Sequence, residues 1–206
     1  MKSVLSLTIV IMVLSCASLV AQQQESANGS IAISFTALGD NDVINWAGAD
    51  LVGAAGYSGK SFYTIGLSYI HPLNRWLSLE SGVEFSEHTI TVHPNLPPQM
   101  TNDPYDKELS LITIPITARI NFLNYFFVNG GLLIGTNAGT SSPIDSQSGI
   151  GAMLGVGAKY SMTGGLGAFV NGYVKMHSLI PFMAESNEYR QRLLESGLRI
   201  GLTYSF

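Results

Sequence analysis

Apolar and polar residues change places one by one along most of this chain. Near 76–87, one set of alternate positions reads Leu77, Leu79, Ser81, Val83, Phe85 and the other reads Ser78, Glu80, Gly82, Glu84, Ser86. Near 110–122, Ile112, Ile114, Ile116, Ala118, Ile120 and Phe122 oppose Thr113, Pro115, Thr117, Arg119 and Asn121. A period of two marks a strand with two unlike faces. Eight segments carry it, near 30–39, 61–71, 76–87, 110–122, 125–136, 149–161, 165–176 and 195–206. Each is as long as, or slightly longer than, the roughly 9–11 residues with which a tilted strand crosses a bilayer. Helical periodicity is nearly absent; the one candidate, "AESNEYRQRLL" at 184–194, reads as a short helix or a polar loop.

The connections alternate in length. "PLNR", "LN" and "MTG" join strands two to three, four to five and six to seven, while long connections occupy 40–60, 88–109, 137–148 and 177–194. The pattern predicts an all-β fold: an eight-stranded antiparallel up-and-down transmembrane β-barrel with short periplasmic turns and long extracellular loops. An even strand number puts both termini at the short-turn, periplasmic end.

Alternation alone does not say which face meets water, because a lipocalin-like soluble barrel alternates too. Glycine decides the expectation. Gly66, Gly82, Gly131, Gly135, Gly151, Gly155, Gly157, Gly167, Gly197 and Gly201 share the polar face, against Gly130 and Gly172 on the apolar one. An eight-stranded barrel is only just wide enough inside for side chains, so small residues belong there, with Phe127, Met153, Phe169 and Tyr173 filling what remains. The polar face is therefore expected to be luminal. It carries Glu80, Glu84 and Glu195 against Arg119, Lys159, Lys175 and Arg199, which are expected to pair and plug the lumen because a buried unpaired charge is costly. Tyr69, Trp76, Phe122, Tyr125, Phe126, Tyr160, Tyr204 and Phe206 cluster beside the short turns, as an interfacial aromatic girdle would.

Composition supports the membrane reading. Charged residues make up 12% of the chain, against about 25% in soluble domains. Residues 1–21 read as a secretory signal peptide, with Lys2, an apolar stretch and "SLVA" before the cut, leaving 22–206 as one barrel domain. An uncleaved anchor and lipidation at Cys16 are the alternatives. Without 1–21, Lys2 and Cys16 are gone, so 9 basic residues face 14 acidic ones and no thiol remains. No apolar run after residue 21 reaches the roughly 20 residues of a membrane helix. No basic tract suits nucleic acid.

Candidate chemistry is sparse. A Ser–His–acid site could draw on Ser86 with His88, or His177 with Ser178, as in a lipid-acylating or deacylating outer-membrane enzyme. No spacing demands either, and His71 sits at a turn. Asp40, Asp42 and Asp50 miss the spacing of a calcium loop because Ile44 stands at a ligand position. No metal ligand set and no cofactor is expected. Four prolines stiffen the stretch 93–108.

The closing "ESGLRIGLTYSF" places Leu198, Ile200, Leu202, Tyr204 and Phe206 on one face. It resembles the signal that outer-membrane barrels present to their assembly machinery. The whole chain resembles the small barrels of Bacteroidetes, Gram-negative bacteria, grouped as PorT-like or outer membrane protein beta-barrel domain proteins. "LSLITIPITARINF" at 109–122, with its Ile114–Pro115 step, and "LVAQQQ" carry that likeness. The resemblance implies an outer-membrane location, outer-membrane lipid and the assembly machinery as partners, and in some relatives a place in a secretion or envelope complex. The resulting expectation is a non-enzymatic barrel with a structural, adhesive or recognition role through its outer loops. A lipid-modifying enzyme and a soluble periplasmic carrier are the alternatives.

Overall fold

A computed structural model describes residues 29–45, 55–96, 102–139, 142–162, 164–183 and 190–206. The signal segment, Asp50 and residues 184–189 of the helix-or-loop candidate lie outside them. Eight strands follow one another: β1 (Ser30–Asn45), β2 (Gly56–Pro72), β3 (Leu77–His93), β4 (Tyr105–Phe122), β5 (Phe126–Asn137), β6 (Gly149–Ser161), β7 (Leu166–Pro181) and β8 (Gln191–Ser205). Each pairs antiparallel with its sequence neighbour, and β1 closes the ring against β8 from Ser30↔Ser205 to Asn45↔Gln191. The fold is an eight-stranded antiparallel up-and-down barrel, with no helix among the described residues. Closure removes every edge and satisfies the backbone within the sheet, which is what a strand needs in hydrocarbon.

The short turns form as their residues dictate. Asn74 Oδ1 accepts from the backbone N–H groups of Trp76 (3.0 Å) and Leu77 (2.8 Å). Leu123 and Asn124 both take positive φ, 49° and 61°, in the tight β4–β5 turn. Gly164 and Gly165 supply φ of 91° and 85° between β6 and β7, a conformation glycine reaches without steric cost. Pro115 sits in the middle of β4. It has no N–H to give, and the β3–β4 ladder has a gap between Ser81↔Ile116 and Glu84↔Thr113.

The outward set of every strand is apolar across a continuous belt. Ile33, Leu67, Val83, Leu132, Leu154, Val156 and Ile200 are all more than half exposed. Glu80, Glu84, Arg119, Lys175, Glu195 and Arg199 are all buried inside. The ordering of a soluble protein is inverted, so the belt requires an apolar surrounding. The expected aromatics ring the short-turn end, with Tyr69 on Phe206 (6.5 Å) and Phe122 on Phe126 (6.0 Å) as stacked pairs.

Two expectations need correction. Several strands run further than their alternation suggested: β1 to Asn45, β2 from Gly56, β3 to His93, β4 from Tyr105, β7 to Pro181 and β8 from Gln191. Much of what read as long loop is strand, and 191–194 of the helix-or-loop candidate belongs to β8. The reason lies in the faces. Above Phe85 on β3, the outward residues become Glu87, Thr89 and Thr91, and the inward ones become His88, Ile90 and Val92. On β4, Glu108 and Ser110 turn outward while Leu109 and Leu111 are buried inside. Polarity reverses at this level, as expected where a barrel leaves hydrocarbon for water, and a period-two pattern with its phase reversed reads as a break. The second correction concerns the β5–β6 connection, which read as an outer loop. Its described part turns inward, burying Ile144 and Gln147.

Candidate functional site

The lumen is filled in layers. At the short-turn mouth a cavity of about 210 Å³ opens between Ser30, Ser78, Asn121, Lys159 and Ser205. Beneath it, Ala32, Ile70, Phe127 and Phe169 form an apolar cluster. Phe127 and Phe169 meet edge to face at 6.4 Å. Glycine makes room for both: a Cβ on Gly157 would run into the Phe127 ring, and one on Gly201 into the Phe169 ring.

Next comes a chain of ions crossing the barrel. Arg119 Nη2 lies 2.8 Å from Glu80 Oε2. Arg199 Nη1 lies 3.2 Å from Glu80 Oε1 and 3.3 Å from Glu84 Oε1. Lys175 Nζ lies 2.6 Å from Glu84 Oε2 and 3.4 Å from Glu195 Oε1. Signs alternate from β4 through β3 and β8 to β7, so each buried charge faces its opposite. Arg119 also stacks over Phe127 at 4.1 Å, and Arg199 donates to Asn171 Oδ1 at 3.1 Å. Lys159 is not brought into the chain. It sits nearer the mouth and donates to Asn121 Oδ1 at 2.6 Å.

Above the ions, Glu195 Oε2 faces His177 Nε2 at 3.3 Å and His88 Nε2 at 3.5 Å. Tyr173 donates to Glu195 Oε1. A β-bulge builds this level. The β6–β7 register shifts between Ile150↔Ile180 and Ala152↔Met176, and Ser178 takes φ 49°. Alternation is broken there, so His177 and Ser178 are both buried.

The outer end is sealed by Ile90, Leu109, Leu111, Ile144 and Leu193. Gln147 ties the inward connection down. Its Nε2 donates to Gln191 O (3.0 Å), and its Oε1 accepts from Leu193 N (3.0 Å). Arg190 donates to Ser178 Oγ (2.9 Å) and to Ser146 O. Ile144, Gln147 and Arg190 were not singled out from sequence. They lie in connections without alternation, where nothing in one dimension signals a fold-back.

The residues considered for catalysis occupy this buried level. Ser86 Oγ is 3.1 Å from His88 Nε2. A Ser–His–acid triad uses one imidazole nitrogen for the nucleophile and the other for the acid. Here His88 Nε2 faces both Ser86 and Glu195, and His88 Nδ1 has no hydrogen-bond partner among the described residues. Ser178 Oγ is engaged by Arg190 rather than by His177. Asp40 and Asp42 lie on β1 against β8, not in a loop. On β8, Leu198, Ile200, Leu202 and Tyr204 face outward, and Phe206, just past its end, is exposed as well.

A closed ring of strands, an apolar belt outside and paired charges inside define a transmembrane β-barrel. The chain belongs to the outer membrane protein beta-barrel domain family, which it matches over residues 7–206, and its place is the outer membrane. That location displaces the soluble periplasmic carrier. No curated protein matches the chain. Among solved structures, it is similar to the outer membrane protein OprG from Pseudomonas aeruginosa at 14% identity and a TM-score of 0.48, covering 89% of this chain and 98% of that one. It is similar to the outer membrane protein AlkL in DMPC bilayers at 13% identity and a TM-score of 0.49, covering 89% and 94%. A third similar structure is the outer membrane protease OmpT from Escherichia coli, at 11% identity and a TM-score of 0.46, covering 89% and 99%.

Proposed function

We propose that this protein is a non-enzymatic outer-membrane barrel with a plugged lumen, acting as a recognition or structural subunit through the end that carries its long connections. The single observation that carries this reading is the filled interior: among the described residues, an aromatic layer, a crossing chain of six paired ions and an apolar cap occupy the lumen one above another. The reversed polarity of the upper strands supports a rigid crown standing in water. On β4 that crown begins above Ile112, and it is cross-braced by Lys60, which pairs with Asp106, and by Thr91, which donates to Asp106 at 2.8 Å. In this reading the crown faces outward and the termini and short turns lie in the periplasm. The partner is an envelope or secretion-complex protein, and the stretch 109–122 supports a PorT-like subgroup.

Two measurements test it. Purified protein in planar bilayers is expected to give no steady conductance, and open-channel currents would overturn the plug. In intact cells, photo-crosslinkers at Thr89 and Lys107 on the crown are expected to capture a protein partner, while one at Ile116 in the belt is expected to capture lipid. Altered lipid acylation on overexpression would replace this reading with the enzymatic one.

A further inference from the structure

His88, His177 and Glu195 come from three strands and 107 residues of sequence, yet their ligating atoms lie within 4.8 Å of one another. Each is held by a separate device. The His88 ring is stacked on Phe62, 5.4 Å between centroids at an interplanar angle of 13°. His177 is turned inward by the β7 bulge. Glu195 is anchored through Oε1 by Tyr173 and Lys175, which leaves Oε2 to the two imidazoles.

The spacing is informative. A charge-assisted N–H···O bond closes to about 2.7–2.9 Å. Both imidazole Nε2 atoms instead stand off the same oxygen, at 3.3 and 3.5 Å. With metal–ligand bonds of about 2.0–2.1 Å, the edges of a tetrahedral zinc site measure roughly 3.3–3.4 Å. The two carboxylate–imidazole separations therefore match two edges of such a tetrahedron, and all three ligating atoms lie within 4.8 Å of one another.

We propose that His88 Nε2, His177 Nε2 and Glu195 Oε2 form a binding site for a first-row transition-metal ion, with Zn²⁺ the best fit, inside the barrel wall. Two imidazoles and a carboxylate suit zinc, and none of the three is the soft sulfur donor that copper(I) prefers. Tyr173 and Lys175 orient the carboxylate from its far oxygen, as outer partners do in metal sites. Glu80, Glu84 and Glu195 already balance Arg119, Lys175 and Arg199. A divalent ion adds two positive charges, of which an anionic fourth ligand, hydroxide or chloride, would cancel one. The bound ion would tie β3, β7 and β8 together just below the cap. Ile90 and Leu193, fully buried above it, block entry to the closed barrel, so the ion is taken up as the barrel folds.

The test is to refold the full chain into detergent with Co²⁺, wash with chelator, and read retained metal and visible absorption. Wild type is expected to retain one Co²⁺ per chain with the d–d bands of a tetrahedral site. His88→Gln and His177→Gln are each expected to lose both signals, and His71→Gln and His93→Gln to keep them. Heat-modifiable migration reports folding for every variant. Folded wild type that retains no cobalt overturns the proposal, as does retention unchanged in both His88→Gln and His177→Gln. X-ray absorption on zinc-loaded wild type needs no variant: two imidazoles in the first shell are expected, and a shell without imidazole overturns the site.

Discussion

At the residue scale, the interior is a problem in charge. Taking an ion out of water costs several kcal/mol even after relaxation, and only close opposite partners offset it. Lys175, like Arg199, is buried between two carboxylates, Glu84 and Glu195 in its case. Lys175→Met leaves two carboxylates opposed by too little positive charge. It is expected to destabilise the barrel by about 3–5 kcal/mol, read as a lower denaturant midpoint in detergent. Adding Glu84→Gln should recover part of the loss, because one orphaned charge is removed. The inward direction of these residues was legible from their alternation with isoleucine and leucine. Their partners were not. Lys175 meets Glu84 across the lumen, a distance that sequence spacing does not encode. Lys159 shows the same limit: its face was readable but its depth was not, and depth separates it from the ion chain.

At the element scale, the strands obey their pattern until the surroundings change. On β3 the outward set passes from Val83 and Phe85 to Glu87, Thr89 and Thr91 while the strand continues. The lower half is patterned for hydrocarbon outside, the upper half for water outside and a small apolar core within. Read as one pattern, the reversal looks like the end of an element. Bulges add to the difficulty: the register shifts in β1, β2 and β7 break the phase of two. The turns are simpler. Leu123 is 76% exposed and holds φ at 49°, which costs an ordinary L-residue on the order of 1 kcal/mol. Leu123→Asn, which tolerates that region, is expected to stabilise the barrel by roughly 0.5–1 kcal/mol, checked by the shift in unfolding midpoint.

At the scale of the whole molecule, the belt and the crown should respond differently to charge. Ile116 lies in the middle of the outward row of β4. Ile116→Arg is expected to cost about 2–4 kcal/mol in a bilayer. Thr89 also points outward but stands above the reversal of polarity, so Thr89→Arg should change stability by no more than about 0.5 kcal/mol. Folding titrations in lipid vesicles measure both. Equal costs at the two positions would place the boundary elsewhere, and with it the reading of the upper strands as a crown.

The sequence by itself determined the architecture and its inside-out character. A barrel in hydrocarbon needs one apolar and one polar or small face on every strand, and that requirement is local, written at every second residue. Only the tertiary structure decided what the inward residues do. Closing β1 on β8 sets which rungs share a depth. Those shared depths bring Arg119 to Glu80, place Lys175 between two carboxylates, aim His88 and His177 at one oxygen of Glu195, and let a connection without alternation fold back as the cap.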